Sequence, residues 1–598
     1  MGSEQKKILP INYTAMEFES IRQELIQVAE RFYPDTFRDF SEASFGAMMI
    51  DAVAYIGDQL SFYLDYNVNE TFLDTAYQFN NILRHGRIMG YKYTGPQSSF
   101  GQVALFVMVP ASTTGLGPDT TYIPILKVGT SFSSDIGTVY SLIENVDFAN
   151  PRNQVVVARV NTDTGAPTHY AIKAYGNVVS GVGGSQTVSV GAYERYKRIR
   201  LTAANISEVI SVIDSEGNEY FEVNYLSQDM VFKELANKNF KNDNVPSVLK
   251  PYLVSRKFVV ERTRFNTYLQ FGAGDASESN VVADPQSVAM DIFGKDYITD
   301  TTFDPTRLTK NKSYGIVPAN TTLTITYRTT SSGTANLASY GLTSVSSVAA
   351  DFADRRKLAD ATVSEVLASI EVSNEEPFVG SVSTPSSDEI KRRIYDTFPT
   401  QDRAVTRADY ESVAYRMPSK YGSIKRCSIQ KDHNSLKRNL NMYILSEDSF
   451  GKFTTSNLTI KNNLKTWLES YRMLSDTIDI LDAKIWNFGI EFVVTPTTDV
   501  DKFSLLDSCV AQLATKFSNG FYIGEAIYIS DIYTELKKVT GVLDVNSVKI
   551  NSNAGLQYSN IQLDINKNTS PDGTMLIIPK NVVAELKYPQ TDIRGKVK

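Results

Sequence analysis

Three histidines, His85, His169 and His433, and two cysteines, Cys427 and Cys509, are the only imidazoles and thiols in 598 residues. A zinc site draws on Cys and His ligands at close spacing, and no such cluster exists here. Two cysteines in a chain this long exclude a disulfide framework. His169 lies in a strand-like run with no Asp, Ser or Cys at useful spacing, so it reads as structural rather than as a general base. Cys427 falls in a strand and Cys509 on an apolar helical stripe, which makes both core residues. Paired carboxylates remain open. A glycosidase needs two of them about 5–10 Å apart, and Glu144/Asp147 or Asp296/Asp300 are pairs of that sort. Nearness in sequence does not place them in a cleft. Gly272-Ala-Gly274-Asp275 lacks the third glycine of a dinucleotide fingerprint and the Gly-Lys-Ser/Thr of a phosphate loop. It reads as a turn after Thr267–Phe271. Asp275, Glu278, Asp284, Asp291 and Asp296 lack the alternation of a calcium loop. No catalytic residue, metal or cofactor is expected.

Composition agrees with that. Apolar residues make up 42% and charged residues 21%, a globular balance for about three to five domains. A net charge of −7 is mild over this length and argues against a nucleic-acid partner. The longest apolar run, Val103 to Val109, falls far short of the ~20 residues of a membrane span, so no membrane partner is expected. Met1-Gly-Ser-Glu-Gln-Lys-Lys7 has no apolar core, and Lys6 stands where a myristoylation site wants Ser or Thr. Assembly in a reducing cytoplasm is the expectation. The surplus is aromatic: 33 Tyr and 30 Phe.

The elements begin with helices. Phe18, Ile21, Leu25, Val28 and Phe32 are spaced 3–4 apart, a single apolar stripe ended by Pro34. Ser41 or Ser44 can cap a second helix carrying Met49, Ala52, Ile56, Leu60 and Tyr63. A third stripe is Phe72, Ala76, Phe79 and Leu83. Asp51, Asp58 and Asp65 repeat every seven residues. They read either as a register or docking line in a multi-chain bundle, or as a solvated helix face, the commoner case. Met48, Val53, Tyr55, Phe62 and Leu64 occupy the other sides of the second helix. A helix apolar nearly all round is buried on more than one side. Three helices hide part of that surface from one another, and another chain is expected to cover the rest.

From Phe100 the period changes to two, with short strand signals at 129–134, 138–143, 154–160, 169–174 and 186–190. Residues 329–350, rich in Ser, Thr, Gly and Ala, read as a linker. Beyond Pro385 the order is ααββαββααβ, and Thr406 can cap the helix Arg407 to Arg416. The expected fold is multidomain α+β. It has a helical region 1–95, β-rich domains 96–240 and 241–330, and a connecting segment 331–385. Two α+β domains, 386–500 and 501–598, complete it.

Three blocks carry a resemblance. Phe45-Gly46, Asp51, Asp58, Leu60, Tyr63, Leu64, Asp65, Asn69-Glu70, Thr75-Ala76 and Gly90-Tyr91 resemble the N-terminal helical region of baseplate J-like proteins. Arg403-Ala-Val-Thr-Arg-Ala-Asp-Tyr410, with the helix to Pro418, resembles that family's C-terminal-half motif. Phe521-Tyr-Ile-Gly-Glu-Ala-Ile-Tyr-Ile-Ser-Asp-Ile-Tyr533 with Gly541-Val-Leu-Asp-Val545 is similar to the C-terminal domain of the larger baseplate wedge protein of T-even-type contractile-tailed phages and their cyanophage relatives. The middle β region matches only in character.

The resemblance implies a virion tail baseplate subunit without enzymatic activity. Such proteins ring the tail tube with two copies in each of six wedges, twelve in all. It also implies a trimeric helical bundle shared with a second copy and a different wedge protein. A sheath-initiator subunit and a small wedge subunit dock nearby, and the ring changes diameter on contraction. The interface residues expected in the N-terminal bundle are Phe18, Ile21, Leu25, Val28, Met49, Ile56, Leu60, Tyr63, Phe72 and Phe79. In the C-terminal domain they are Tyr522, Ile523, Tyr528, Ile532 and Tyr533. The alternatives are a tail-associated carbohydrate-active enzyme and a receptor-binding adhesin. An adhesin fibre would show repeats, and none of fixed period is present.

Overall fold

The computed structural model describes residues 17–33, 44–113, 117–228, 230–236, 247–274, 314–330, 335–432, 439–497, 500–517, 520–555 and 557–598. The chain divides into two units. One is Met1–Gly90 with Ser387–Ile394; the other is Tyr91–Ser386 with Tyr395–Lys598.

Unit 1 is helical. α1 spans Phe18–Phe32, α2 Phe45–Thr71 and α3 Phe79–Ile88. Ser44 supplies the α2 cap, its Oγ accepting from the Ala47 N–H at 3.1 Å. α2 has 27 residues, a rod about 40 Å long at 1.5 Å per residue. α1 lies against it where Gly57 has no side chain. A Cβ there would stand 3.2 Å from Ile21 Cδ1. Arg22 Nε meets Asp51 Oδ1 at 2.6 Å across the same contact. The turn into α3 is organised by Glu70. Its Oε1 accepts from the Tyr77 and Gln78 N–H groups at 2.8 and 3.0 Å, and its carbonyl bonds His85 Nε2 at 2.9 Å. Ile390 and Ile394, from the helix Ser387–Thr397, are buried, and Lys391 Nζ donates to the Asp74 carbonyl at 2.7 Å.

Unit 2 opens with the strand Phe100–Pro110, antiparallel to Pro167–Ser180 from Phe100↔Val179 to Pro110↔His169. Period-two alternation buries Val103, Leu105, Val107 and Val109 on one face. Val363 and Val366 of the helix Asp360–Ala368 join the same core. Gly101 lies under the Phe378 ring, where a Cβ would come within 1.9 Å of a ring carbon. The 329–350 linker expectation is corrected here. Leu342–Ser347 is an edge strand of this sheet, paired with Ser131–Ser134. Its alternation is hidden because Leu342 is its one buried side chain; the rest is Ser, Thr and a half-buried Val345.

A second sheet runs in the order Val182–Val190, Thr321–Thr329, Ile206–Ile213, Glu219–Glu222, Lys257–Arg262, Thr267–Phe271, Arg198–Arg200. Thr321–Thr329 therefore sits between two strands from the other side of the boundary expected at residue 240. Long-range antiparallel pairing carries no signature in local sequence, so a boundary drawn from composition cut through one sheet.

The C-terminal half follows the expected order of elements. Arg426–Lys431, Asn439–Glu447 and Thr477–Asp482 form a sheet covered by the helices Arg407–Tyr415 and Leu458–Glu469. Thr406 and Asp409 form a reciprocal capping box at the start of Arg407–Tyr415. The last sheet centres on Lys484–Pro496, flanked by Val542–Asn553 on one side and by Val582–Glu585 and Ile593–Val597 on the other. Trp486, Phe488, Ile490 and Phe492 from that strand pack with Leu505, Cys509 and Leu513 of the helix Lys502–Lys516. A further core spans the boundary expected at 385/386: Phe100, Val179 and Val379 pack with Tyr410, Ile424, Ile460 and Leu464.

Candidate functional site

Among the described residues, Glu144 and Asp147 take part in structural contacts. Glu144 Oε1 accepts from both the backbone and side-chain nitrogens of Asn177 at 2.9 Å. Asp147 Oδ1 accepts from the Ala149 N–H at 2.8 Å. Glu144 thus holds the strand Pro167–Ser180, and Asp147 closes a local turn. Asp296 and Asp300, the acidic run from Asp275 to Asp296, and His433 lie outside the described residues. Gly274 makes a single bridge to Ile316 after the strand Thr267–Phe271, and Asp275, with which the expected turn would continue, lies outside the described residues. His169 stands 3.7 Å from Glu365. Both cysteines are buried and unpaired with each other, and burial pushes the Cys509 thiol pKa up. Among the described residues no group of three or more His, Cys, Asp or Glu could hold a metal ion. No described helix is long and apolar enough to cross a membrane.

A polar depression of about 250 Å³ lies on the last sheet, lined by Glu491, Asn553, Tyr558, Asp592 and Arg594. Asp592 is its one buried carboxylate, and it is fully engaged. Oδ1 accepts from Asn553 Nδ2 at 2.9 Å and the Tyr558 hydroxyl at 2.7 Å; Oδ2 accepts from the Tyr588 N–H at 2.7 Å. This carboxylate clamps the Pro589–Asp592 turn.

The unusual surface is that of unit 1. Only Ala47 and Ala54 of α2 are buried. Met49, Ile56, Leu60 and Tyr63 are exposed, as are Phe45, Phe62 and Leu64 at about two-thirds. Aromatic side chains carry about 150–250 Å² each, so Phe45, Tyr55, Phe62 and Tyr63 alone present more than the roughly 300 Å² at which an exposed apolar patch marks an interaction site. Phe72, just past α2, is exposed. Phe18, Ile21, Leu25, Val28 and Phe79 are half-buried. The apolar stripe of α1 is therefore partly used within the chain, while that of α2 is open. Asp51 of the heptad line is taken by Arg22; Asp65 is exposed.

The five C-terminal residues separate. Ile523 and Ile532 lie in the core with Trp486 and Phe488. Tyr522 lies under the Arg426 guanidinium at 4.5 Å, and the Tyr533 hydroxyl accepts from the Val548 N–H at 3.2 Å. Tyr528 is exposed. Exposed apolar residues of this domain that periodicity missed are Phe503 and Leu543. In the first sheet the edge strand Gln154–Val160, expected as a strand at 154–160, is exposed along its whole length. Its signal was three successive valines, Val155 to Val157, which make both faces of a strand apolar.

Residues 17–88 match the model of a family described as bacteriophage baseplate protein, N-terminal domain. The match coincides with the helices of unit 1 and supports a baseplate protein as the class of this chain. No curated protein matches the sequence. Two solved structures are similar at 9% identity and a TM-score of 0.24. One is a chain of the six-fold symmetrised cryo-EM baseplate of the anti-feeding prophage, covering 94% of this chain and 90% of that one. The other is a chain of the type VI secretion system TssK-TssF-TssG baseplate subcomplex, covering 73% of this chain and 95% of that one.

Proposed function

We propose that this chain is a structural, non-catalytic subunit of a contractile-tail baseplate, the inner wedge protein that rings the tail tube. The observation that carries the reading is the open apolar surface of α2 on a segment matching the baseplate N-terminal domain. A 27-residue helix with two buried alanines and aromatic residues on several sides leaves that apolar surface in water unless other helices cover it. A trimeric bundle does that. One helical hairpin comes from this chain, one from a second copy and one from a different wedge protein. Phe18, Ile21, Leu25, Val28, Met49, Ile56, Leu60, Tyr63, Phe72 and Phe79 are the proposed contacts.

A closed ring built from one subunit needs a second kind of self-contact. The C-terminal domain supplies it through Tyr528, with Tyr522 and Tyr533 near the surface. Ile523 and Ile532 support that face from within the core. Obligate contacts of this kind bury about 2,000–5,000 Å² and are rich in aromatics. In the assembled tail the ring holds twelve copies, meets a sheath initiator and a small wedge subunit, and passes on the change of diameter that starts sheath contraction.

The test is association of the purified full chain with and without its wedge partner, read by light scattering at micromolar concentration. Dimers or higher species are expected. A monomer that stays monomeric and fails to bind the partner would overturn the reading.

A further inference from the structure

The chain crosses between the two units at Gly90/Tyr91, Ser386/Ser387 and Ile394/Tyr395. Inside unit 2 the first and last of these connectors lead to one tyrosine. Lys92 follows the first. Its ammonium donates to the Asn224 carbonyl and lies 4.4 Å from the centre of the Tyr225 ring. Asp402 follows the last. Its Oδ2 accepts from the Tyr225 hydroxyl at 3.2 Å, and its Oδ1 from Arg416 Nη1 at 3.1 Å. Arg416 ends the helix Arg407–Tyr415 and lies over the Tyr471 ring at 5.7 Å. Two residues beyond Lys92, the Thr94 carbonyl takes Arg262 Nη1, which also reaches Ser419 Oγ at 3.0 Å. The middle connector is tied elsewhere: the Ser383 N–H and hydroxyl donate to Glu447 Oε2 at 3.2 and 3.1 Å.

The backbone at Asp402 is unusual as well. Gln401 has φ 46° and Asp402 φ 57°, two successive side-chain-bearing residues in the left-handed region. A Cβ disfavours that region, which normally falls to a single Gly or Asn. No glycine relieves it here. The conformation persists only where surrounding contacts hold it, and the contacts of Asp402 are Tyr225 and Arg416.

We propose that Tyr225 and Asp402 form a clasp that binds the roots of the first and last connectors together. The left-handed turn makes it a catch under strain. When the Tyr225–Asp402 hydrogen bond opens, Gln401 and Asp402 relax and the last root parts from the ring that still holds Lys92. An element with two discrete arrangements is what a subunit needs to pass a shift of its helical unit to its body. The inference rests on unit 2 alone, so it stands or fails separately from the assembly reading.

The experiment is limited trypsin digestion of the full chain, with cleavage after Lys92 and after Arg403 followed by mass spectrometry. Tyr225→Phe removes only the hydroxyl of a half-exposed ring. It should speed cleavage after Arg403 by about tenfold, the effect of losing a hydrogen bond to a charged group, and leave cleavage after Lys92 unchanged, because the ring and the Asn224 carbonyl still hold that ammonium; Tyr225→Ala, which removes the ring as well, should speed both. Asp402→Asn should match Tyr225→Phe. Gln401→Gly keeps every contact and removes strain, so it should slow cleavage after Arg403 and raise the melting temperature. Unchanged cleavage after Arg403 in Tyr225→Phe, or after Lys92 in Tyr225→Ala, would overturn the clasp. A lower melting temperature for Gln401→Gly would overturn the strain.

Discussion

The side chain of Asn457 joins two halves of the molecule: its Nδ2 donates to the Phe100 carbonyl at 2.7 Å across 357 positions of sequence. The same amide donates to the Pro377 carbonyl at 3.1 Å, while Oδ1 caps the helix Leu458–Glu469 by accepting from the Ile460 N–H at 3.0 Å. One buried residue thus ends a β-strand pairing and begins a helix.

Asn457→Ala removes a cap worth about 0.5–2 kcal/mol and leaves the Phe100 and Pro377 carbonyls short of a donor at about 1–3 kcal/mol. We expect a total loss of about 2–4 kcal/mol. Asn457→Asp keeps the cap but turns a buried carboxylate oxygen toward the two carbonyls, so it should be less stable than Ala. Denaturant unfolding of the three proteins measures this, and equal midpoints for Asp and wild type would show that the bond to Phe100 contributes nothing.

Cutting the chain at 385/386 separates Phe100, Val179 and Val379 from Tyr410, Ile460 and Leu464. Both fragments should bind a hydrophobic dye and precipitate, because each exposes half of a core. Co-expression should rescue solubility. A soluble, cooperatively unfolding 386–598 fragment would contradict the shared core.

Leu60 and Leu83 belong to the same unit at 58% and 4% exposure. Leu83→Asp buries an unpaired charge and should melt the unit, with a loss of several kcal/mol. Leu60→Asp should leave helix content and unfolding within about 0.5 kcal/mol of wild type and abolish association. Circular dichroism and light scattering distinguish the two. Unchanged association for Leu60→Asp would remove α2 from the proposed interface.

Glu585 sets a pH dependence. Burial raises its pKa above the ordinary carboxylate value, partly offset by the Phe453 N–H at 2.8 Å and Asn487 Nδ2 at 2.9 Å. The folded domain favours the protonated form. Its stabilising contribution is full below the unfolded pKa of about 4.3 and is lost as pH rises through the raised folded value. Glu585→Gln lacks that slope. Wild type should therefore lose stability relative to the variant as pH rises from about 4 through the raised folded value, read from fluorescence of the buried Trp486. Parallel stability curves would show that Glu585 titrates normally.

Much of the C-terminal half was legible. Thr406 with Asp409, Ser386 to Glu389 and the stripe Ile460, Leu464, Leu468 are local signals, and hydrogen bonds within a helix reach only four residues. The sheets were legible as strands but not as partners. Thr321–Thr329 pairs with Val182–Val190 across residues that carry no trace of it. Ile523 and Ile532 show the matching limit for surfaces. An apolar side chain reads the same in sequence whether its own core or another subunit covers it.

The sequence by itself determined that the chain has α+β elements in a fixed order and no cluster of Cys or His for metal or disulfide chemistry. It also determined that its second helix carries apolar residues on several sides. Each follows from residue type and short-range spacing. Only the tertiary structure decided that α1 covers α2 along one strip and leaves Leu60 and Tyr63 in water. It also decided that Asn457 reaches Phe100 and that Lys92 and Asp402 meet at Tyr225. Those are long-range contacts, fixed by how sheets and helices close on one another rather than by any neighbour in the chain.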